Sequence, residues 1–270
     1  RTLPFNRLSM GIQTFNESIL KVLQRRHTAR QAIEAFQNCR AAGFQNISID
    51  LMYGLPGETL STWQQDLDQA LLLHPEHLSA YHLIYEEDTV LWKLREQHKV
   101  EEADEDLSVS LFSTLIDRLT SEGYDHYEIS NFSLPGLYSR HNSSYWTEKK
   151  YLGCGPSAHS YNGVSRQWNV ASLDTYIKGI SAGTPVFEIE ELDLYTRYND
   201  FVITRIRTEW GMPLSKLRDE FGEKLYDYCL RMAAPHLKQG TLELVNDILK
   251  LTRKGIFISD GIMSDMLWTD

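Results

Sequence analysis

The sequence predicts an α/β fold: part of a parallel (βα) barrel, followed by a small helical, winged-helix-like C-terminal domain. Three observations carry this. Strand-like and helix-like stretches alternate from Arg7 to Phe132, the pattern of a parallel sheet with right-handed crossovers. The stretch from Ile47 to Thr59 opens as an apolar, β-branched run, as in a strand buried on both faces, and turns sharply at Gly54-Leu55-Pro56-Gly57. Beyond Ser172 helices dominate until Leu242–Val245 and Ile248–Leu251, two short apolar runs around an Asn246-Asp247 turn. The expected division is 1–168 for the partial barrel and 169–270 for the C-terminal domain.

Taken in order, Arg7 to Gln13 reads as a first strand. Thr28-Ala29-Arg30-Gln31 fits a capping box, and the helix it opens carries Ala32, Ile33, Phe36 and Cys39 at helical spacing, closed by Gly43. Thr59 can cap a helix with Leu60, Trp63, Leu67, Ala70 and Leu71 on its apolar face, ending at His74-Pro75. His77 to Ile84 is a third strand candidate. An acidic stretch from Glu101 to Asp106 leads into a helix with Leu107, Leu111, Phe112, Leu115, Ile116 and Leu119 as its stripe and Gly123 at its end. Tyr127 to Phe132 reads as a fourth strand. The expectation is four parallel strands, at about 8–13, 47–52, 78–84 and 126–130, adjacent in that order with helices over one face. Four such units make half of an eight-unit barrel.

Residues 133–168 are rich in Gly, Ser, Tyr, His and Asn and read as a long polar loop whose aromatics argue against disorder. Then Leu173–Ile180 and Leu192–Arg207 look helical. Leu214–Phe221 and Lys224–Gln239 form two helices broken at Gly222, and the hairpin after Gly240 completes a winged-helix arrangement.

Composition narrows the function. The chain has 270 residues, 42% hydrophobic and 24% charged, with a formal net charge of -10. That charge argues against nucleic acid as a partner, winged helix notwithstanding. No apolar run reaches a membrane span and no signal-peptide pattern opens the chain, so the expected location is cytoplasmic. Cys39, Cys154 and Cys229 are too scattered for a close-spaced metal motif or a disulfide framework. Asp50, a carboxylate within an apolar strand, either caps or pairs locally or serves as a ligand group at the C-terminal end of a barrel strand.

Four segments together, Arg7 to Gln13, Asp50 to Thr59, His126 to Phe132 and His141 to Trp146, resemble the HemW family. These are radical S-adenosylmethionine (SAM) heme chaperones related to oxygen-independent coproporphyrinogen III oxidase (HemN). The resemblance covers essentially the whole chain and implies the C-terminal part of a radical SAM partial barrel with a HemN-type C-terminal domain. It also implies SAM and a [4Fe–4S] cluster, the latter held by a Cys-x3-Cys-x2-Cys loop near the barrel start. That loop and its glycine-rich partner are absent from this sequence. The expectation is a fragment lacking the N-terminal cluster-binding region of its parent and unable by itself to cleave SAM.

Carried over residue by residue, the resemblance places Gln13, Arg25 and Asp50 on SAM and Ile84 at its adenine. The motif from His141 to Trp146 separates the chaperones from the oxidases. It makes His141 a candidate heme ligand beside Tyr145 and Trp146, against the reading that His141 only pins a loop by hydrogen bonds. His159 is a second candidate, and Gly153-Cys154-Gly155 resembles the family's glycine-rich segment. The implied function is binding heme and transferring it to a heme-accepting target protein; the alternative is radical oxidative decarboxylation of coproporphyrinogen III. A transient membrane-protein partner and a homodimer are compatible with the chaperone role.

Overall fold

The computed structural model describes residues 4–269. They form two compact units, divided between Ser139 and Arg140. The domain boundary expected at 168/169 therefore falls inside the second unit.

The first unit contains β1 (Leu8–Gln13), α1 (Glu17–Val22), α2 (Ala29–Ala41), β2 (Ile47–Tyr53) and α3 (Leu60–Leu73). After these come β3 (His77–His82), α4 (Val90–Glu96), α5 (Glu105–Ser121), β4 (Asp125–Glu128) and β5 (Asn131–Ser133). The caps lie where local chemistry placed them. Thr28 and Gln31 close a capping box on α2, Thr59 accepts from Thr62 N on α3, and Asp104 accepts from Leu107 N on α5. His74 ends α3 in the left-handed conformation. One sheet face meets the helices: Ile47, Ile49 and Leu51 of β2 and Leu78 and Ala80 of β3 are buried, as are Phe36, Trp63, Leu67, Leu111 and Leu115. Trp63 Nε1 donates to Leu111 O at 3.0 Å and so ties α3 to α5. Leu60 is exposed, and Asp66 takes its place among the buried positions of α3.

Sheet order corrects the expected topology. β1, β2 and β3 are parallel neighbours, but the order continues β3-β5-β4, with β5 antiparallel to both flanking strands. The expected fourth strand is folded on itself. Glu128 Oε2 accepts from Ser130 N at 3.1 Å and His126 Nε2 meets Ile129 O at 3.0 Å, so two side chains close a turn inside the run. β4 keeps the direction of β3 but lies one strand further out.

The second unit is also more ordered than a polar loop followed by helices. It comprises α6 (Arg140–Trp146), β6 (His159–Tyr161), β7 (Ser165–Asn169), α7 (Leu173–Ser181), β8 (Phe187–Glu191) and α8 (Leu194–Ile206). Then follow β9 (Met212–Pro213), α9 (Leu214–Gln239), β10 (Leu242–Val245), β11 (Ile248–Leu251), α10 (Arg253–Ile256) and α11 (Ser259–Met266). The stretch expected as a loop thus supplies a helix and two strands, which join β8 in an antiparallel sheet ordered β6-β7-β8. The winged-helix reading holds: β10 and β11 form the hairpin, β9 adds a third strand, and α9 is kinked at Gly222, whose φ of 79° is not helical. Tyr198, Phe201, Leu217, Phe221, Leu225 and Met266 form its core.

Candidate functional site

The sheet face turned away from the helices carries polar side chains. Register aligns Gly11 with Asp50, Asp50 with Ser79, Ser79 with Asn131, and Asn131 with Glu128. Paired residues on neighbouring strands project to the same face, so one rung crosses all five strands. Hydrogen bonds join part of it: Ser79 Oγ donates to Asn131 Oδ1 at 3.0 Å and Asn131 Nδ2 to Glu128 Oε2, while Asp50 Oδ2 accepts at 3.3 Å from Ser9 Oγ, two residues before Gly11 on β1. Ser79, Asn131 and Glu128 are 3%, 3% and 2% exposed, whereas Asp50 is only half-buried. A second rung runs beside it. Ser48 Oγ and His77 Nδ1 are 2.8 Å apart, and His77 Nε2 and Tyr127 OH 2.7 Å. Burial holds His77 neutral, with its pKa pushed down to about 3, and pushes the Tyr127 phenol up to about 12.

Gln13, Arg25 and Asp50 come to the β1–β2 end of this face. A β-carbon on Gly11 would lie 2.8 Å from Gln13 Nε2 and 3.6 Å from Arg25 Nη2. The Gln13 amide and Arg25 guanidinium thus stand over the register partner of Asp50. Arg25 Nη2 also donates to Gly11 O at 3.1 Å. Gln13 reaches back because its backbone is left-handed, φ 72°, where the β1–β2 register shifts. Burial raises the Asp50 pKa, opposed by the neighbouring Ser79 and Ser9 hydroxyls and by the charge of Arg7. Ile84 lies beyond the end of β3 and is 75% exposed.

Two buried carboxyls that sequence reasoning missed fix the loops at this end. Asp66 accepts from Thr14 Oγ1 and from Phe15 N, directly after Gln13. Glu58 Oε2 accepts from Gly54 N at 2.7 Å and Leu55 N at 3.3 Å, holding the turn after β2. Its Oε1 is buried with no hydrogen-bond partner among the described residues, and desolvation pushes its pKa up to about 7. Gly54 has φ +72°, and a β-carbon there would lie 2.6 Å from His82 Nε2. Asp66 was visible as the one charge within the apolar stripe of α3; Glu58 had no such signal.

In the second unit His141 sits on α6, not in a loop, and is exposed. Its Nε2 lies 3.2 Å from Tyr145 OH, one turn on, and the two rings meet edge to face at 5.2 Å. Tyr145, 38% exposed, meets Tyr151 the same way at 5.0 Å. Trp146 turns inward beneath the Arg207 guanidinium, 4.2 Å from its ring centroid, and its Nε1 is buried without a partner among the described residues. Just past the helix, Glu148 accepts from Arg205 at 2.9 Å and Lys216 at 2.8 Å. Burial alone would raise the Glu148 pKa, but these two cations take it below the usual range. His159 stacks on Trp168 across the β6–β7 pair, with centroids 5.9 Å apart. Thus α6 presents one imidazole and one phenol outward on an anchored base.

Donor chemistry separates the implied groups. The half-buried Asp50 receives long bonds from Ser9, so its oxygens have capacity for further donors such as ribose hydroxyls; with Gln13 and Arg25 it fits SAM. A [4Fe–4S] cluster does not fit: Cys39 is half-buried, Cys154 exposed and Cys229 buried. Among the described residues no group of three or more His, Cys, Asp or Glu could hold a metal ion. Nor, among them, is any helix long and apolar enough to cross a membrane.

Comparison with known proteins matches residues 1–70 to the radical SAM superfamily model and residues 192–258 to that of the HemN C-terminal domain. The heme chaperone HemW of Lactococcus lactis is 31% identical over 268 residues, covering 98% of this chain and 70% of that protein. Heme chaperone HemW of Bacillus subtilis is 30% identical over 263 residues, covering 97% and 69%. Among solved structures, coproporphyrinogen III oxidase (HemN) from Escherichia coli, a radical SAM enzyme, superposes with a TM-score of 0.79 at 21% identity. That match covers 97% of this chain but only 64% of the HemN chain, and at this identity it shows the fold alone.

Proposed function

We propose a function from one premise: the chain belongs to the HemW family of heme chaperones. Its protein binds heme on the outer face of α6 and passes it to a heme-accepting target protein. The observation that carries this reading is the exposed His141 imidazole, backed by Tyr145 and Tyr151 and anchored through Trp146 and Glu148. Neutral imidazole ligates heme iron through one ring nitrogen, and the edge-packed tyrosines offer apolar surface to the macrocycle. An exposed ligand also suits a carrier, since heme held on an open surface can be handed on. We further propose that Gln13, Arg25 and Asp50 bind SAM, with Asp50 accepting from ribose hydroxyls and Arg25 and Gln13 facing its amino-acid moiety, and that Ile84 lies near its adenine. The [4Fe–4S] cluster that this family chemistry calls for has no ligand set among the described residues. The acceptor on this reading is a heme protein, membrane proteins included, and transfer through a homodimer is tested by size-exclusion chromatography with and without heme.

The deciding experiment titrates heme into the protein and follows the Soret band. His141→Ala is expected to remove the shift, while His159→Ala leaves it in place. An unaltered titration by a folded His141→Ala variant removes α6 as the heme site. Radical decarboxylation of coproporphyrinogen III gains nothing from the HemN likeness, which is one of fold.

A further inference from the structure

The rung ends in a carboxylate that no ligand can reach. Glu128, Asn131 and Ser79 are almost wholly buried, yet they form an unbroken line of side chains leading to Asp50. A buried carboxylate costs several kcal/mol unless it is satisfied, so the line has a physical consequence. Glu128 Oε2 accepts from both Asn131 Nδ2 and Ser130 N. A carboxylate oxygen that accepts from an amide decides which end of that amide faces it. Asn131 must therefore present its carbonyl oxygen to Ser79, whose Oγ lies 3.0 Å away. Ser79 is also the register partner of Asp50 on the neighbouring strand, with its side chain on the same face. A hydroxyl has one proton, and two acceptors compete for it.

We infer that Glu128, Asn131 and Ser79 are positioning residues for Asp50: by drawing the Ser79 proton toward Asn131, they leave the Asp50 carboxylate short of a donor and ready to take one from the ligand's hydroxyls. The inference rests on the reading of Asp50 as a SAM contact only for the ligand's identity; the proton's direction is a property of the free protein. The charged group acting on Asp50 is Arg7, just before β1, while Arg25 stands beside Gly11, the register partner of Asp50. On β3, His77 is held neutral.

The test follows the Asp50 carboxyl by carbon-13 NMR through a pH titration. In Glu128→Gln the amide of Asn131 is free to turn over, Ser79 then donates to Asp50, and the Asp50 titration moves to lower pH. Loss of a distant negative charge would move it the same way, so the same change is made in Ser79→Ala. If the effect runs through Ser79, the shift disappears in the double variant; a shift that persists overturns the relay. Ser79→Ala alone, a mild change that keeps the fold, decides independently. If the serine proton points at Asn131, the Asp50 titration shows no upward shift; an upward shift means Ser79 had been donating to Asp50 and the inference is wrong. Calorimetry with SAM gives the functional readout: Glu128→Gln weakens binding by roughly tenfold, the scale of one charge-assisted hydrogen bond lost to competition. Absence of SAM binding by the unaltered protein would sink the ligand assignment while leaving the NMR result to judge the relay.

Discussion

The two candidate sites are built in opposite ways. The first unit places its polar groups on paired strands, so that Asp50 looks out beside Ser79, Asn131 and Glu128, which solvent barely touches. The second unit places His141 on a helix of 7 residues with its ring exposed, and half-buries the anchor instead: Trp146 under Arg207, and Glu148 between Arg205 and Lys216. A strand-borne buried rung fixes geometry, because every misplaced polar group would forfeit a hydrogen bond it cannot replace from water. A short exposed helix fixes little beyond its own base. The contrast suits a small polar ligand gripped in one orientation and a flat apolar one taken up and released.

The largest expected effects test whether this contrast lies in the sites and not in the cores beneath them. Trp63→Ala removes a fully buried ring that packs on Tyr53 and bonds Leu111, and should cost about 3–5 kcal/mol in denaturant unfolding. Phe201→Ala in the second unit, equally buried, should cost a similar amount. A much smaller loss for Phe201 would mean that the second unit is loosely packed throughout, not only at its exposed helix.

Next in size is the pH response of the first unit. Glu58 is pushed up to about 7 from an ordinary 4.5. Folding therefore keeps its proton where the unfolded chain has lost it. The contribution is complete below 4.5 and is lost as pH rises through about 7, on the order of 3 kcal/mol in all. His77 acts in the other direction: held neutral down to about 3 against an ordinary 6.5, it withdraws stability as pH falls between those values. Glu58→Gln should flatten the alkaline fall in unfolding free energy and leave the acid one. An unchanged alkaline fall would mean that the Glu58 carboxyl is not the group responsible.

A change at the ligand face itself should be smaller. Asp50→Asn keeps the shape of the side chain but halves its accepting capacity. It should weaken SAM binding by about 2 kcal/mol, or roughly thirtyfold, while the Soret titration of heme stays as it was. Equal damage to both titrations would erase the distinction between the two sites.

What the sequence disclosed and what it hid divide along the range of the forces involved. Strands β1 to β3, the Thr28 and Thr59 caps and the kink at Gly222 are written in neighbouring residues, and local reading found them. The β4–β5 hairpin was missed because its turn is closed by the side chains of Glu128 and His126 inside an apparently continuous strand. Residues 133–168 read as a loop because α6 is short and the polar strands β6 and β7 are defined by pairing, β6 with β7 and β7 with the later β8. Gln13, Arg25 and His141 came from resemblance, since no periodicity marks them; only Asp50 stood out by itself. The rung could not be read at all. Each member was visible, but their alignment is a matter of register between strands far apart in the chain.

The smallest predicted effect concerns how the exposed site is tuned. Tyr145 OH lies 3.2 Å from His141 Nε2, so the phenol and an incoming iron would compete for the same ring nitrogen. If heme takes Nε2, the tyrosine must first let go, and Tyr145→Phe should tighten heme binding by about 1 kcal/mol, the net worth of one neutral hydrogen bond. If heme takes Nδ1 instead, the phenol acts as a brace that orients the ring from behind, and the same substitution should loosen binding by a similar amount. The exposed face of α6 favours the first outcome, because Tyr145 shares it with His141 and the phenyl ring left behind still offers its surface to the macrocycle. A Soret titration of Tyr145→Phe beside the parent reads the sign directly. Loosened binding would recast the pair as a fixed ligand with its support, making the second site resemble the first more than its exposure suggests.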